Sequence, residues 1–205
     1  MKVNEILKET IAELVVKPVP EERKVVLENM VNYIRRKLQA DESVILNFIC
    51  THNSRRSQFS QIWAQFAADY HGVPVRCLSG GVEVTAFNER AVESAKRLGF
   101  EVNATPETLS ASNPIYEVSY GGDVRLRAFS KLFDDAENSA ESFAAVMTCS
   151  HADEHCPFIP GTEQRIPVRY EDPKAFDDTP NEAAAYDERS KQIGSEMLYA
   201  FSLLA

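Results

Sequence analysis

Cys50 stands six residues before Arg56 and seven before Ser57, in the run Val44-Ile45-Leu46-Asn47-Phe48-Ile49-Cys50-Thr51-His52-Asn53-Ser54-Arg55-Arg56-Ser57. An apolar strand, a short polar loop and the start of a helical segment meet there around one thiol. The loop is long enough for the backbone amides of Thr51, His52, Asn53, Ser54, Arg55 and Arg56 to curl toward a common centre, forming a nest for a tetrahedral anion. The segment from Gln58 to Tyr70 has helical periodicity, and its positive N-terminal end adds to the same field. Thiolate is the reactive form of cysteine, and a nest for anions favours it. Cys50 is therefore a candidate nucleophile. The alternative is a cysteine that merely closes a core strand. The polar run from Thr51 to Ser57 suits a ligand loop better than a core.

Four cysteines occur in the chain. In a cytoplasmic protein such a set points to redox or catalytic use rather than to a disulfide framework. Cys50 and Cys149 each end an apolar run, and Cys156 follows Cys149 closely. Cys77, in Val73-Pro74-Val75-Arg76-Cys77-Leu78, has the setting of a structural strand residue.

The chain has 205 residues, 44% of them hydrophobic and 26% charged, which suits one globular domain with an appendage. A net charge of −9 argues against nucleic acid as a general partner, since that function needs a basic face. An anionic substrate must then be held by local fields around Arg55 and Arg56. No apolar stretch approaches the ~20 residues of a membrane span, and the start of the chain lacks a signal-peptide core. The cytoplasm is the expected location.

The elements that must position these residues are legible from periodicity. Residues 1–40 read as two helices, one with Val3, Ile6, Leu7, Ile11 and Leu14 on a face and one with Leu27, Met30, Val31, Ile34 and Leu38. Pro18 and Pro20 separate them, and the pair is expected to dock on the domain or form a homodimer contact. Strands are expected at 44–49, 73–78, 143–148 and 165–169, and helices at 56–71, 88–98, 128–140 and 181–203. Such alternation implies an α/β domain over 41–205, a parallel sheet flanked by helices, with ligands beyond the carboxyl ends of the strands. Cys50, Ser79 and Cys149 are expected to converge there. Residues 114–128 break the alternation as an inserted β-hairpin turning at Gly121-Gly122.

The Cys50-x5-Arg56-Ser57 loop after a strand resembles the low-molecular-weight protein tyrosine phosphatase family. The run Cys149-Ser-His-Ala-Asp-Glu-His-Cys156-Pro157, followed by Asp172-Pro173, is similar to the thioredoxin-coupled arsenate reductase branch of that family. The resemblance covers roughly residues 44 to 180. It implies a four-stranded parallel sheet flanked by helices. It also implies Cys50 as nucleophile, Arg56 as bidentate clamp on the oxyanion, Ser57 as donor to the Cys50 sulfur, Asn53 as brace of the loop, and Asp172 as general acid on a loop stiffened by Pro173. In the reductase reading Cys149 attacks Cys50, arsenite leaves, and Cys156 then takes the disulfide onward to a thioredoxin-like reductant. No metal or organic cofactor is implied. Two positions depart from the family pattern: His52 stands where glycine is usual, and Arg55 where the reductases commonly have cysteine. Arg55 reads as a solvated charge without a catalytic role.

Two other readings compete. A tyrosine phosphatase needs only Cys50, Arg56 and Asp172 and has no use for Cys149 or Cys156. Lys174 stands where tyrosine-specific members commonly carry an aromatic residue. A zinc-binding interaction module would use Cys149, His151, His155 and Cys156, but this spacing fits no common finger.

Overall fold

Asn4 opens the first helix, α1 (Glu5–Val16), by accepting the Leu7 amide on its side chain at 2.9 Å. Pro18 and Pro20 then prevent continuation. The second helix, α2 (Glu21–Gln39), places Glu21 and Glu22 in its first turn and Arg36 and Lys37 in its last, the order its dipole favours. The chain then builds β1 (Val44–Cys50), α3 (Arg56–His71), β2 (Val75–Gly81), α4 (Glu89–Arg97), β3 (Glu101–Ala104), β4 (Tyr116–Ser119), β5 (Leu126–Ala128), β6 (Phe143–Met147), α5 (Ser150–His155), β7 (Thr162–Pro167) and α6 (Glu182–Ser202). This computed structural model describes residues 2–122, 125–155 and 159–205, with the His155 side chain also left aside.

The main sheet has the order β2-β1-β6-β7, and every neighbouring pair is parallel. This is the four-stranded parallel sheet expected from the alternation. Its central strand β1 is buried along almost its whole length, and its last residue, Cys50, lies level with Gly81 of β2. One apolar cluster joins the sheet to α1, α2, α3 and α6 through residues such as Leu7, Leu27, Ile34, Phe48, Trp63 and Phe201. A second, smaller cluster gathers Ile49, Cys50, Met147, Cys149, Ala152 and Ile159 on the opposite face. The N-terminal helices therefore share the core of the sheet. Within α2, Arg23 pairs with the buried carboxylate of Glu196 on α6, which also accepts from the Tyr170 hydroxyl at 2.8 Å. Burial and then Glu196 push the Tyr170 phenol up, so it stays a neutral donor.

The hairpin is present as β4 and β5, and β3 joins it to make a separate antiparallel sheet, β3-β4-β5. The helix expected over 128–140 is absent. Residues 126–128 are strand, and only Ala136–Asn138 forms a 3-10 turn. Tertiary pairing overrides the helical pattern there. The Lys131 carbonyl accepts from the Gly81 amide at 2.8 Å, and the Phe133 amide donates to Gly81 O at 3.0 Å, so this segment runs along the edge of β2. That approach requires glycine: a Cβ on Gly80 would lie 2.3 Å from the Phe133 Cα.

The same segment buries Lys131. Its residue is 3% exposed, and its Nζ has no hydrogen-bond partner among the described residues, lying 4.5 Å from the Phe129 ring centroid. Burial pushes the amine down to about 8, although Glu137 and Asp135 oppose this. Between about 8 and the ordinary 10.5 the unfolded chain holds the extra proton, so stability rises as pH climbs through that window. Lys131→Met keeps the stem and removes the amine. It is expected to raise stability at pH 7 by roughly 2 kcal/mol and to flatten that rise. Urea unfolding at pH 7 and pH 9.5 measures both, and a loss of stability at pH 7 would contradict the account.

Candidate active site

Beyond β1 the chain turns through residues 51–55 before α3 begins, and every carbonyl of this turn is held from outside. Thr51 O accepts the Val82 and Glu83 amides at 2.9 Å each, and Ser54 O accepts the Asn88 amide at 3.0 Å. His52 O accepts from Ser130 Oγ at 2.7 Å, Asn53 O from Gln58 Nε2 at 3.0 Å, and Arg55 O from the Phe59 amide at 2.9 Å. The amides of residues 52–55 have no acceptor among the described residues. Carbonyls tied outward with amides left over is the arrangement an anion nest requires. Asn53 sits in the left-handed region at φ 47°, where asparagine is better tolerated than most side chains. β2 closes in behind the loop, since a Cβ on Gly81 would lie 2.8 Å from the Asn53 amide nitrogen.

Cys50 Sγ is 3.1 Å from Ser57 Oγ, and Ser57 Oγ receives a bond from Asn53 Nδ2 at 2.8 Å. The amide orientation of Asn53 is fixed independently, because its Oδ1 accepts from the Lys131 backbone at 3.1 Å. Since Nδ2 can only donate, the Ser57 hydrogen is left to point at sulfur. Arg56 donates through Nη1 to Tyr170 O at 3.1 Å and pairs through Nη2 with Asp172 Oδ2 at 2.7 Å. Its Nε is buried with no partner among the described residues. An orphaned guanidinium N–H is costly unless an anion completes it. Asp172 itself caps the Pro173–Phe176 turn by accepting the Lys174 amide.

Cys149 ends the run after β6. It belongs to the same apolar cluster as Cys50, is 2% exposed, and accepts the Ala152 amide on its sulfur at 3.4 Å. Thr51 Oγ1 lies 3.6 Å from Cys149 Sγ and 3.2 Å from His151 Nδ1. Asp153 is held by Arg165 and Arg169; burial opposes ionisation, but these two partners keep its carboxyl below the usual range. Cys156 lies outside the described residues.

Two sequence expectations about the site change, those for Arg55 and Ser79. Arg55 is not a solvated charge: its Nε donates to Tyr186 Oη at 2.7 Å and its Nη2 reaches Asp177 Oδ2 at 3.4 Å, so only its backbone faces the nest. Ser79 does not join the site, because β2 runs two residues further and the hydroxyl donates to Gln61 Oε1 at 2.6 Å inside the core. Cys77 is buried, and burial followed by Asp69 pushes its thiol up, which keeps it inert. Tyr170, Tyr186, Asp177, Gln58 and Ser130 all support the site without any signal in the linear motif. His52 takes the place of the usual glycine with its ring turned outward, 3.2 Å from Glu83.

No protein-family model matches the chain. An arsenate reductase of Bacillus subtilis (strain 168) is 27% identical over 158 residues, covering 76% of this chain and 94% of the relative. An arsenate reductase of Staphylococcus aureus (strain Newman) is 29% identical over 127 residues, covering 62% of this chain and 76% of the relative. Among solved structures, a low-molecular-weight phosphotyrosine phosphatase from Vibrio cholerae O395 superposes with a TM-score of 0.51 at 11% identity, covering 79% of this chain and 96% of that one. The fold is thus the one seen in that phosphatase, with the Cys50 loop following the central strand of the parallel sheet. Both of these sequence relatives are arsenate reductases.

Proposed function

We propose that the chain is an arsenate reductase that converts arsenate to arsenite through the Cys50 thiolate and a Cys50, Cys149 and Cys156 disulfide relay. The observation that carries this reading is the pairing of two features: a nest with an orphaned Arg56 Nε beside Cys50, and a second buried cysteine, Cys149, in the same apolar cluster. The first binds a tetrahedral oxyanion, and the second is of no use to simple hydrolysis.

In the proposed cycle the amides of residues 52–55 and the Arg56 fork hold arsenate. Ser57 donates to the Cys50 sulfur and Asn53 keeps Ser57 oriented. Cys50 attacks arsenic while Asp172, 2.7 Å from Arg56, protonates the departing oxygen. Cys149 then attacks Cys50, Cys156 attacks Cys149, and a thioredoxin-like reductant reopens the disulfide. Residues 1–40 form the helical extension, 41–205 the catalytic α/β domain and 114–128 its inserted hairpin. Exposed Val15, Val16 and Val25 on the extension support a contact between two copies. Among the described residues no helix is long and apolar enough to cross a membrane, and a thioredoxin-like partner would place the reaction in the cytoplasm.

One observation favours the phosphatase reading. A cleft of about 490 Å³ beside the nest, lined by His52, Arg55, Phe87, Tyr116 and Lys174 among others, is larger than a bare oxyanion needs and suits an organic phosphate. Mass mapping of disulfides after one arsenate turnover without reductant separates the two. A Cys149–Cys156 linkage is expected. Free thiols at Cys50, Cys149 and Cys156 would select the phosphatase.

A further inference from the structure

The reducing step needs a base, and the surroundings of Cys149 contain one. This inference rests on the reductase reading above. In that step a bond forms between the Cys149 and Cys50 sulfurs while the Cys50–arsenic bond breaks. Its electron pair leaves with arsenic, which passes from arsenic(V) to arsenic(III), and the two sulfurs become a disulfide. The Cys149 proton must depart as the new bond forms, because thiolate is the attacking form.

Water has little direct access to that proton, because Cys149 is a residue only 2% exposed. Of the two polar neighbours of Cys149 Sγ among the described residues, the Ala152 amide at 3.4 Å can only donate. The other is the Thr51 hydroxyl at 3.6 Å, which can both accept and donate. Beyond it lies His151 Nδ1, 3.2 Å from Thr51 Oγ1, on a residue that reaches the surface. When Thr51 gives its hydrogen to Nδ1, a lone pair of its oxygen is available to the Cys149 S–H. Elsewhere in this short helix, Asp153 is committed to Arg165 and Arg169, and Glu154 is exposed.

We infer that His151 is the proton acceptor for Cys149, acting through the Thr51 hydroxyl. The Cys149 proton passes to Thr51 Oγ1, the Thr51 proton passes to His151 Nδ1, and the imidazolium returns a proton to water. Imidazole suits the task because its ordinary titration range lies near neutrality. His151 touches neither arsenic nor the Cys50 sulfur, so it is a positioning and proton-accepting residue for the reduction step alone.

The test uses the full chain, with arsenate and no reductant, quenched over time by a thiol-alkylating reagent and mapped for disulfides involving Cys149. Hydrolysis of a small aryl phosphate and thermal melting are followed in parallel. His151→Gln is expected to slow disulfide formation on the order of 10²-fold, with hydrolysis and melting little changed. His151→Ala is expected to be equally slow and to regain speed with added imidazole. Disulfide formation at the wild-type rate in His151→Gln overturns the inference, as does a slow His151→Ala that imidazole does not rescue. A wild-type chain that hydrolyses the phosphate but forms no disulfide overturns the reductase reading itself, and the inference with it.

Discussion

Cys50→Ser is expected to abolish arsenate reduction and aryl phosphate hydrolysis together, each by on the order of 10⁵-fold. That is about 7 kcal/mol of transition-state stabilisation at 1.36 kcal/mol per decade. The loss follows from chemistry rather than from collapse of the loop. Serine is slightly smaller than cysteine and can still meet Ser57 Oγ, which lies 3.1 Å from the present sulfur. The outward-held carbonyls of residues 51–55 do not depend on the thiol. An alcohol in the same place remains protonated and is a far poorer nucleophile than thiolate. Steady-state rates for both substrates, with inorganic phosphate binding as a check on the nest, measure the effect. Turnover of either substrate near wild-type rates would remove Cys50 as the shared nucleophile.

Cys149→Ser should separate the two activities. Arsenite production with thioredoxin as sole reductant is expected to fall by at least about 10³-fold, since no second sulfur remains to take the Cys50 linkage. Phosphate hydrolysis should survive within a few-fold, because water rather than a thiol resolves a phosphocysteine. The fold tolerates the change: serine at this position can accept the Ala152 amide that the sulfur now receives at 3.4 Å, and serine is a favoured residue at helix starts. Arsenite at wild-type rates would sink the relay, whereas loss of both activities would point to damage to the packing that Cys149 shares with Ile49, Cys50 and Met147.

The candidate loop was legible because its spacing is local. A thiol at a strand end, a six-residue span to an arginine and a helix start mark the nest within one short window, although distant residues such as Val82, Asn88 and Ser130 tie its carbonyls outward. The parallel sheet was equally readable, since short apolar strands alternating with amphipathic segments have few other ways to bury both faces. Helical periodicity misled over 128–140. The hydrogen bonds of Lys131 and Phe133 go to Gly81, fifty residues away in sequence, and no local window contains that pairing.

By itself the sequence determined the strand, loop and helix around Cys50, the parallel sheet and the candidate groups for chemistry, because each depends on short-range periodicity or residue type. Tertiary structure alone decided which side chains serve the site and which are spent elsewhere. It sent Arg55 to Tyr186 and Asp177, kept Arg56 Nε without a partner among the described residues, and set Thr51 between Cys149 and His151. The physical reason is that a buried hydrogen bond is made between groups brought together by packing, and the cost of leaving one unmade is settled only when the distant chain arrives.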